Sequence, residues 1–128
     1  MTNLDEFVLL PRPRKVTRGA GFCRGDELRT LRDGSLPPQG YRLAVQPDGI
    51  QIAAADDAGA HYAAMTLRQL RRVCGGPLPC GAIEDWPDFP TRGVMLDISR
   101  GKVPKMETLF RLVDEFSEWK INRLELYT

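Results

Sequence analysis

The residues best suited to chemistry surround one short apolar run, residues 94–98, in the last third of the chain. Arg92 precedes this run, Asp97 lies near its end and Arg100 follows it. The run does not alternate with polar residues, which is typical of a strand buried on both faces of a parallel sheet. Asp97 and Arg100 could form an ion pair that orders a site, or a purely structural ion pair. Arg92 could pair with Asp85 or with Asp97.

The histidine and cysteine content argues against a metal or cofactor site. The chain has one histidine, His61, and three cysteines without a Cys-x-x-Cys pair: Cys23, Cys74 and Cys80. A zinc site made from them would need carboxylates at unusual spacing. We therefore predict no metal and no cofactor, and we expect His61 at the surface or half-buried. An odd cysteine count without a secretion signal indicates reduced thiols, with a Cys74–Cys80 disulfide as the alternative.

Length, charge and hydropathy limit the classes of protein that fit. With 128 residues, 42% hydrophobic and 27% charged, the chain suits one small domain or one domain plus part of a second. The net charge of +1 predicts no nucleic-acid partner and no polybasic contact with a membrane. No apolar run approaches the roughly 20 residues of a membrane span. Because the N-terminus also lacks a signal-peptide pattern, we expect a cytoplasmic protein.

The first part of the chain predicts mainly strands. Residues 41–46 and 50–54 alternate between apolar and polar side chains around the turn sequence at residues 47–49, which indicates a hairpin. A short apolar run with prolines after it, residues 7–10, predicts an edge strand. Residues 26–32 are expected to form a short helix.

A longer helix should follow the hairpin. It should begin near Ala58, with Asp56 or Asp57 as its cap, and Gly75 should end it. One apolar stripe at helical spacing supports this prediction. Its members are Ala60, Ala63, Ala64, Leu67, Leu70 and Cys74. The domain formed by these elements should cover residues 1–85.

Residues 86–128 predict a proline-rich linker followed by a strand, a helix and a second strand. Pro104 is suited to the first turn of this helix, and residues 124–127 should form the second strand. Such a unit should be parallel. The helix has a wide apolar face: Met106, Leu109, Phe110, Val113, Phe116 and Trp119. A unit this small cannot cover its own faces, so we expect self-association through the exposed helix.

Three stretches resemble glycoside hydrolase family 20, the β-N-acetylhexosaminidases. Residues 85–100 are similar to the entry of the family's catalytic barrel: Asp-x-Pro-x-Phe, Arg-Gly, three apolar residues, Asp, two residues and Arg. Residues 120–124 resemble the Lys-hydrophobic-Asn pattern of the second barrel strand. Residues 41–70 follow the small α/β domain that precedes the barrel. The resemblance covers about residues 40–128 and indicates a divergent member.

The resemblance implies an α/β protein. A small α+β domain with an antiparallel sheet and helices would occupy residues 1–85, and residues 86–128 would hold the first βαβ unit of a truncated TIM barrel. It implies a parent enzyme that removes terminal β-linked N-acetylhexosamine with retention. The substrate's own acetamido oxygen would act as the nucleophile, and the partner would be an amino-sugar glycan.

The resemblance also implies where the site residues lie. The family's catalytic Asp-Glu pair follows a later barrel strand, whereas the adjacent acidic pairs of this chain are at 56–57, 84–85 and 114–115. We therefore expect no catalytic residue before Thr128 and an inactive fragment. Arg92 matches the arginine that hydrogen-bonds the sugar hydroxyls at carbons 3 and 4, a task suited to a planar guanidinium.

The chain also departs from the family pattern. Gly101 and Lys102 stand where the family has histidine and an aromatic residue, and Tyr127 stands where histidine is common. The cleft is therefore expected to be altered. Two alternative functions are a non-catalytic carbohydrate-binding or protein-interaction module, and a hexosaminidase similar to family 84.

Overall fold

The computed structural model describes residues 2–128 and contains two compact units. The first unit ends at Asp88, and the second is Phe89–Thr128. In the part of the chain described, no helix combines the length and apolar character needed to cross a bilayer.

The first unit contains a five-stranded sheet. Its strands are β1 (Lys15–Phe22), β2 (Glu27–Arg32), β3 (Tyr41–Gln46), β4 (Gly49–Ala54) and β5 (Pro79–Asp85), in the spatial order β1-β5-β3-β4-β2. The hairpin prediction is confirmed, because β3 and β4 pair antiparallel through the turn after Gln46. The prediction of an antiparallel sheet is wrong, because β2 runs parallel to β4 and the sheet is mixed.

Both predictions for the chain before the hairpin, a strand at residues 7–10 and a helix at residues 26–32, are wrong. The segment expected to be helical is β2, which pairs with the open edge of β4 from Glu27 to Arg32. Hydrogen bonds from a neighbouring strand override weak local preference for a helix. The expected strand at residues 7–10 is irregular backbone after a short 3₁₀ turn, Leu4–Glu6. Its Leu10 backbone instead exchanges two hydrogen bonds with the Gln69 side chain, at 3.0 and 2.6 Å.

Helix α1 (Asp57–Cys74) packs on β3 and β4 and covers the core. It begins and ends as predicted: Asp56 caps it, and Gly75 ends it with φ 66°. Its buried face is rotated from the predicted stripe, because Ala64 is exposed. The buried residues of α1 are Gly59, Tyr62, Ala63, Thr66, Leu67, Gln69 and Leu70. Beneath them lie the apolar side chains of the sheet, among them Leu43 and Ile83.

Asp56 joins the start of α1 to the loop before β3. Its two carboxylate oxygens accept hydrogen bonds from the Gly59 and Gln39 backbone N–H groups, each at 2.8 Å. The bond from Gly59 and then the bond from Gln39 hold the pKa of Asp56 below its ordinary value, and Arg32 contributes a smaller attraction. The carboxylate form therefore stabilises the fold.

Replacement of Asp56 by alanine should lower the free energy of unfolding by about 1–2 kcal/mol, the cost of a lost helix cap. Because the folded pKa is lowered, this stabilisation is present above the unfolded pKa and is lost as the pH falls below about 4. Urea unfolding at pH 7 and pH 3 measures both effects. Asp56→Asn is the matched control, since its amide oxygen can still cap α1. An Asp56→Ala variant as stable as the native chain at pH 7 would contradict the capping role of Asp56.

The second unit contains β6 (Gly93–Asp97), α2 (Met106–Glu118) and β7 (Arg123–Tyr127). The predicted strand–helix–strand order is confirmed, and the two strands pair in parallel. Pro104 is not in the first turn of the helix, because Lys105 is the N-cap and Pro104 precedes it. Proline at this position keeps the preceding chain extended and outside the helix.

The apolar residues of α2 divide between two faces. Leu109, Leu112 and Phe116 are half-buried on one side of the helix. No residue of α2 is fully buried. A second set of α2 residues, which we call the α2 apolar stripe, remains exposed: Met106, Phe110 and Val113.

Candidate functional site

Arg92 lies at the amino end of β6, and its side chain binds backbone carbonyls of the segment before β6 and of the segment before β7. Its Nε donates to the Lys120 carbonyl and its Nη1 to the Phe89 carbonyl, both at 2.8 Å. The Arg92 N–H donates to Asn122 Oδ1 at 2.8 Å, and the Asn122 N–H returns a bond to the Arg92 carbonyl at 2.9 Å. Asn122 also donates to the Pro90 carbonyl at 2.8 Å. Arg92 and Asn122 thus fasten the segment before β6 to the turn before β7.

This environment favours the structural alternative for Arg92. Its guanidinium is directed to carbonyl oxygens, and the main-chain bonds around it are those of a turn. Asp97, one of the two acidic partners considered from the sequence, lies at the opposite end of β6. A strand of five residues spans roughly 16 Å, so Arg92 stands well away from the carboxyl edge of the sheet.

Asp97 anchors the turn that follows β6. Its Oδ1 accepts hydrogen bonds from the Ser99 backbone N–H at 2.8 Å and from the Ser99 hydroxyl at 2.6 Å. The Ser99 hydroxyl, then the Ser99 N–H and finally the Arg100 N–H lower the pKa of Asp97. The described residues show no Asp97–Arg100 ion pair, and the Asp97 carboxylate binds Ser99 instead. The Arg100 side chain is exposed.

The carboxyl edge of the β6–β7 sheet also presents Tyr127. Asp97 and Tyr127 are register partners, and the Ile98 N–H donates to the Tyr127 carbonyl at 3.0 Å. Ligands of parallel α/β sheets bind outside the carboxyl ends of the strands. The structure therefore brings Asp97, Arg100 and Tyr127 to the carboxyl edge of this sheet and leaves Arg92 at the amino edge. The sequence marked Tyr127 only as a departure, and its position at the end of a short predicted strand was the available signal.

The other candidate groups have structural environments. Asp57 pairs with Arg32, and Glu84 lies 3.5 Å from Arg42 and 3.9 Å from Lys15. Asp85 accepts from the backbone N–H groups of its neighbour Trp86 and of Arg14. The exposed acidic residues Asp114 and Glu115 lie within α2.

The cysteines are free thiols, as predicted from their odd number. Cys23 and Cys80 are buried, and burial first, then the nearby Cys23, raises the pKa of the Cys80 thiol. Cys74 donates to the Pro77 carbonyl at 3.4 Å. His61 is exposed, as expected, and its ring meets that of Tyr62 edge-on with centroids 5.7 Å apart.

The fold is shared with solved hexosaminidase structures. A β-N-acetylhexosaminidase crystal structure matches with a TM-score of 0.82 and 33% identity, over 93% of this chain and 26% of that chain. The Bacteroides fragilis β-N-acetylhexosaminidase matches with a TM-score of 0.80 and 27% identity, over 93% of this chain and 32% of that chain. The class defined is thus a small α+β domain with a mixed sheet of the kind found in glycoside hydrolases.

Sequence comparison gives the particular family. The model described as "Glycosyl hydrolase family 20, domain 2" matches residues 10–86. A β-hexosaminidase of Akkermansia muciniphila is 40% identical over 95% of this chain and 25% of its own length. The N,N'-diacetylchitobiase of Vibrio harveyi is 35% identical over 73% of this chain and 11% of its own length. The chain belongs to glycosyl hydrolase family 20, and it spans about a quarter or less of these two relatives.

Proposed function

We propose that this chain is part of an enzyme that removes terminal β-linked N-acetylhexosamine from glycans. The observation that carries the proposal is the 40% identity to the Akkermansia muciniphila β-hexosaminidase over 95% of the chain. A match of that extent takes in both compact units, and therefore the β6–β7 edge as well as domain 2. The substrate would be an amino-sugar glycan, and the three free thiols fit a cytoplasmic location.

The mechanism we propose is substrate-assisted and retaining. The acetamido oxygen of the substrate would attack its own anomeric carbon, while a carboxyl group protonates the leaving oxygen. The acidic groups of the β6–β7 sheet are unsuited to that proton transfer: Asp97 is held ionised by Ser99, and Glu125 pairs with Arg123 at 2.6 Å. The catalytic Asp-Glu pair would therefore come from residues outside this chain, on further strands of a TIM barrel that begins with β6.

For sugar binding we propose Arg100 in place of Arg92. Arg100 follows the carboxyl end of β6, and its exposed guanidinium can donate two hydrogen bonds to neighbouring sugar hydroxyls. The hydrogen bonds of Asp97 to Ser99 hold the turn from which the Arg100 side chain extends. Arg92 would instead stabilise the β6–β7 pair by holding the two strands together at their amino ends.

The test compares the 128-residue chain with the longest native protein that contains it. Aryl N-acetyl-β-glucosaminide and galactosaminide are the substrates, and the aryl β-glucoside without the acetamido group is the control. We expect the longer protein to cleave only the acetamido sugars and to release the β-anomer first, as followed by proton NMR. The chain alone should be inactive. Cleavage of the plain glucoside at a similar rate, or first release of the α-anomer, would refute the mechanism.

The isolated chain should self-associate through the α2 apolar stripe. Phe110 is 62% exposed and Met106 is 60% exposed, and adjacent exposed apolar side chains on one helix favour association. Sedimentation velocity should show species larger than the 14.4 kDa monomer, and a hydrophobic dye should bind. The double substitution of Phe110 and Val113 by lysine should restore the monomer. Val8→Lys, which alters an exposed apolar residue of the first unit, is the control. A clean monomer with little dye binding would contradict this prediction.

A further inference from the structure

Tyr127 is an exposed aromatic residue at the carboxyl edge that the proposed mechanism does not yet use. The residue is 57% exposed. The parallel ladder is intact as far as this residue, because the Ile98 N–H still donates to the Tyr127 carbonyl at 3.0 Å. Register partners in adjacent strands point to the same face of a sheet. The Tyr127 ring and the Asp97 carboxylate therefore lie on one face.

The two faces of this small sheet differ in chemistry. Val94, Leu96 and Leu124 share one face and are half-buried, as expected where a crossover helix covers a parallel sheet. The other face carries Asp97 and Tyr127 at the carboxyl end, the exposed Met95 in the middle and the ion pair of Arg123 with Glu125 nearer the amino end. Tyr127 thus belongs to the face that carries the charged residues, at the end where ligands bind parallel α/β sheets.

The side chain of tyrosine suits a pyranose. Its ring offers an apolar surface, and its hydroxyl can both donate and accept hydrogen bonds. The neighbouring Asp97 carboxylate already binds the Ser99 backbone N–H and hydroxyl through Oδ1.

We propose that Tyr127 contacts the N-acetylhexosamine and helps to determine which sugar is accepted. The proposal rests on the proposed function of the whole enzyme. The phenol hydroxyl would hydrogen-bond a sugar hydroxyl, and the ring would pack on an apolar patch of the sugar. Tyr127 thereby works beside Arg100, which approaches from the turn after β6.

The experiment uses the longest native protein, with the variants Tyr127→Phe, Tyr127→Ala and Tyr127→His. Phe89→Ala is the matched control, because it removes an exposed ring of the same unit on the amino side of β6. Removal of the whole side chain should raise KM about tenfold with little change in kcat, the effect of one ring contact and one hydrogen bond lost. Removal of the hydroxyl alone should raise KM by a smaller factor, and Phe89→Ala should leave KM unchanged.

Tyr127→His separates contact with the sugar from simple packing. Histidine titrates near pH 6.5, and the charged groups around it would be Asp97 and Arg100 on the β6 side and Arg123 and Glu125 on its own strand. If position 127 touches the sugar, KM of this variant should change between pH 5.5 and 7.5 relative to the native protein. Unchanged KM in Tyr127→Ala, or a lowered melting temperature as its sole effect, would overturn the inference. A native protein without activity on either acetamido sugar would overturn the proposed function itself, and this inference with it.

Discussion

Replacing Arg100 by alanine in the longest native protein should lower kcat/KM about 10- to 100-fold, the effect of losing hydrogen bonds from a charged group to the substrate. The loss should appear mainly in KM if Arg100 binds the ground state, and in kcat as well if the bonds strengthen in the transition state. Hydrolysis of an aryl N-acetyl-β-glucosaminide measures both constants. The melting temperature should change little, because the Arg100 side chain is exposed.

Arg92→Ala should show the opposite pattern and is the informative comparison. The guanidinium of Arg92 donates to the carbonyls of Phe89 and Lys120, so its removal leaves two backbone acceptors without these donors. We expect a lower melting temperature and a KM close to that of the native protein. Asn122→Ala should behave in the same way, because Asn122 joins the same two segments. A large rise in KM for Arg92→Ala, with an unchanged melting temperature, would restore the sugar-binding role that the sequence resemblance implied.

Gly59→Ala should lower the free energy of unfolding by about 3 kcal/mol, at the upper end for overpacking of a core. A Cβ atom at position 59 would overlap the Gly40 carbonyl oxygen and lie 3.1 Å from the Gly40 carbonyl carbon. Gly40 cannot retreat easily, because its carbonyl accepts from the Ala55 N–H at 3.0 Å and its N–H donates to the Pro37 carbonyl at 2.8 Å. The first turn of α1 would have to move away from the loop before β3.

Urea unfolding of the isolated chain or of the native protein tests this prediction. Alanine is intrinsically better than glycine in a helix by about 1 kcal/mol, so the measured loss is the clash minus that gain. Gly76→Ala is the control, because open space surrounds position 76 and its backbone is not left-handed. Equal stabilities of the two variants would show that α1 does not approach Gly40 as closely as the structure indicates.

The hairpin and α1 could be predicted from the sequence because their signals are local. Alternation in β3 places Leu43 and Val45 on one buried face, and the turn between β3 and β4 sets the register in which the two strands pair. Asp56 and Gly75 define the ends of α1 through their own side-chain and backbone chemistry. The parallel β6–β7 unit was also predictable, since an unbroken apolar run followed by an amphipathic helix has few other solutions.

Strands β1 and β5 escaped prediction because neither carries a local signal. β1 contains two glycines, and all of its residues except the half-buried Val16 are exposed. β5 contains proline and glycine, yet it lies between β1 and β3 and bonds to both. The local sequence of β2 predicts a helix, and all six of its residues are exposed. Only its pairing with the edge of β4 makes it a strand.

The sequence by itself determined the family, the hairpin, the capped helix and the group of polar residues around the first strand of the second unit. Side-chain type, spacing and turn chemistry act over a few residues, and these features depend on nothing more distant. Only the tertiary structure decided that Arg92, and not Arg100, donates its side-chain hydrogen bonds to backbone carbonyls. Arg92 and Lys120 are 28 residues apart, and their hydrogen bond exists because the β6–β7 pairing brings the two segments together. The same pairing sets Tyr127 beside Asp97, since register between parallel strands is fixed by packing over the crossover helix and not by either strand alone.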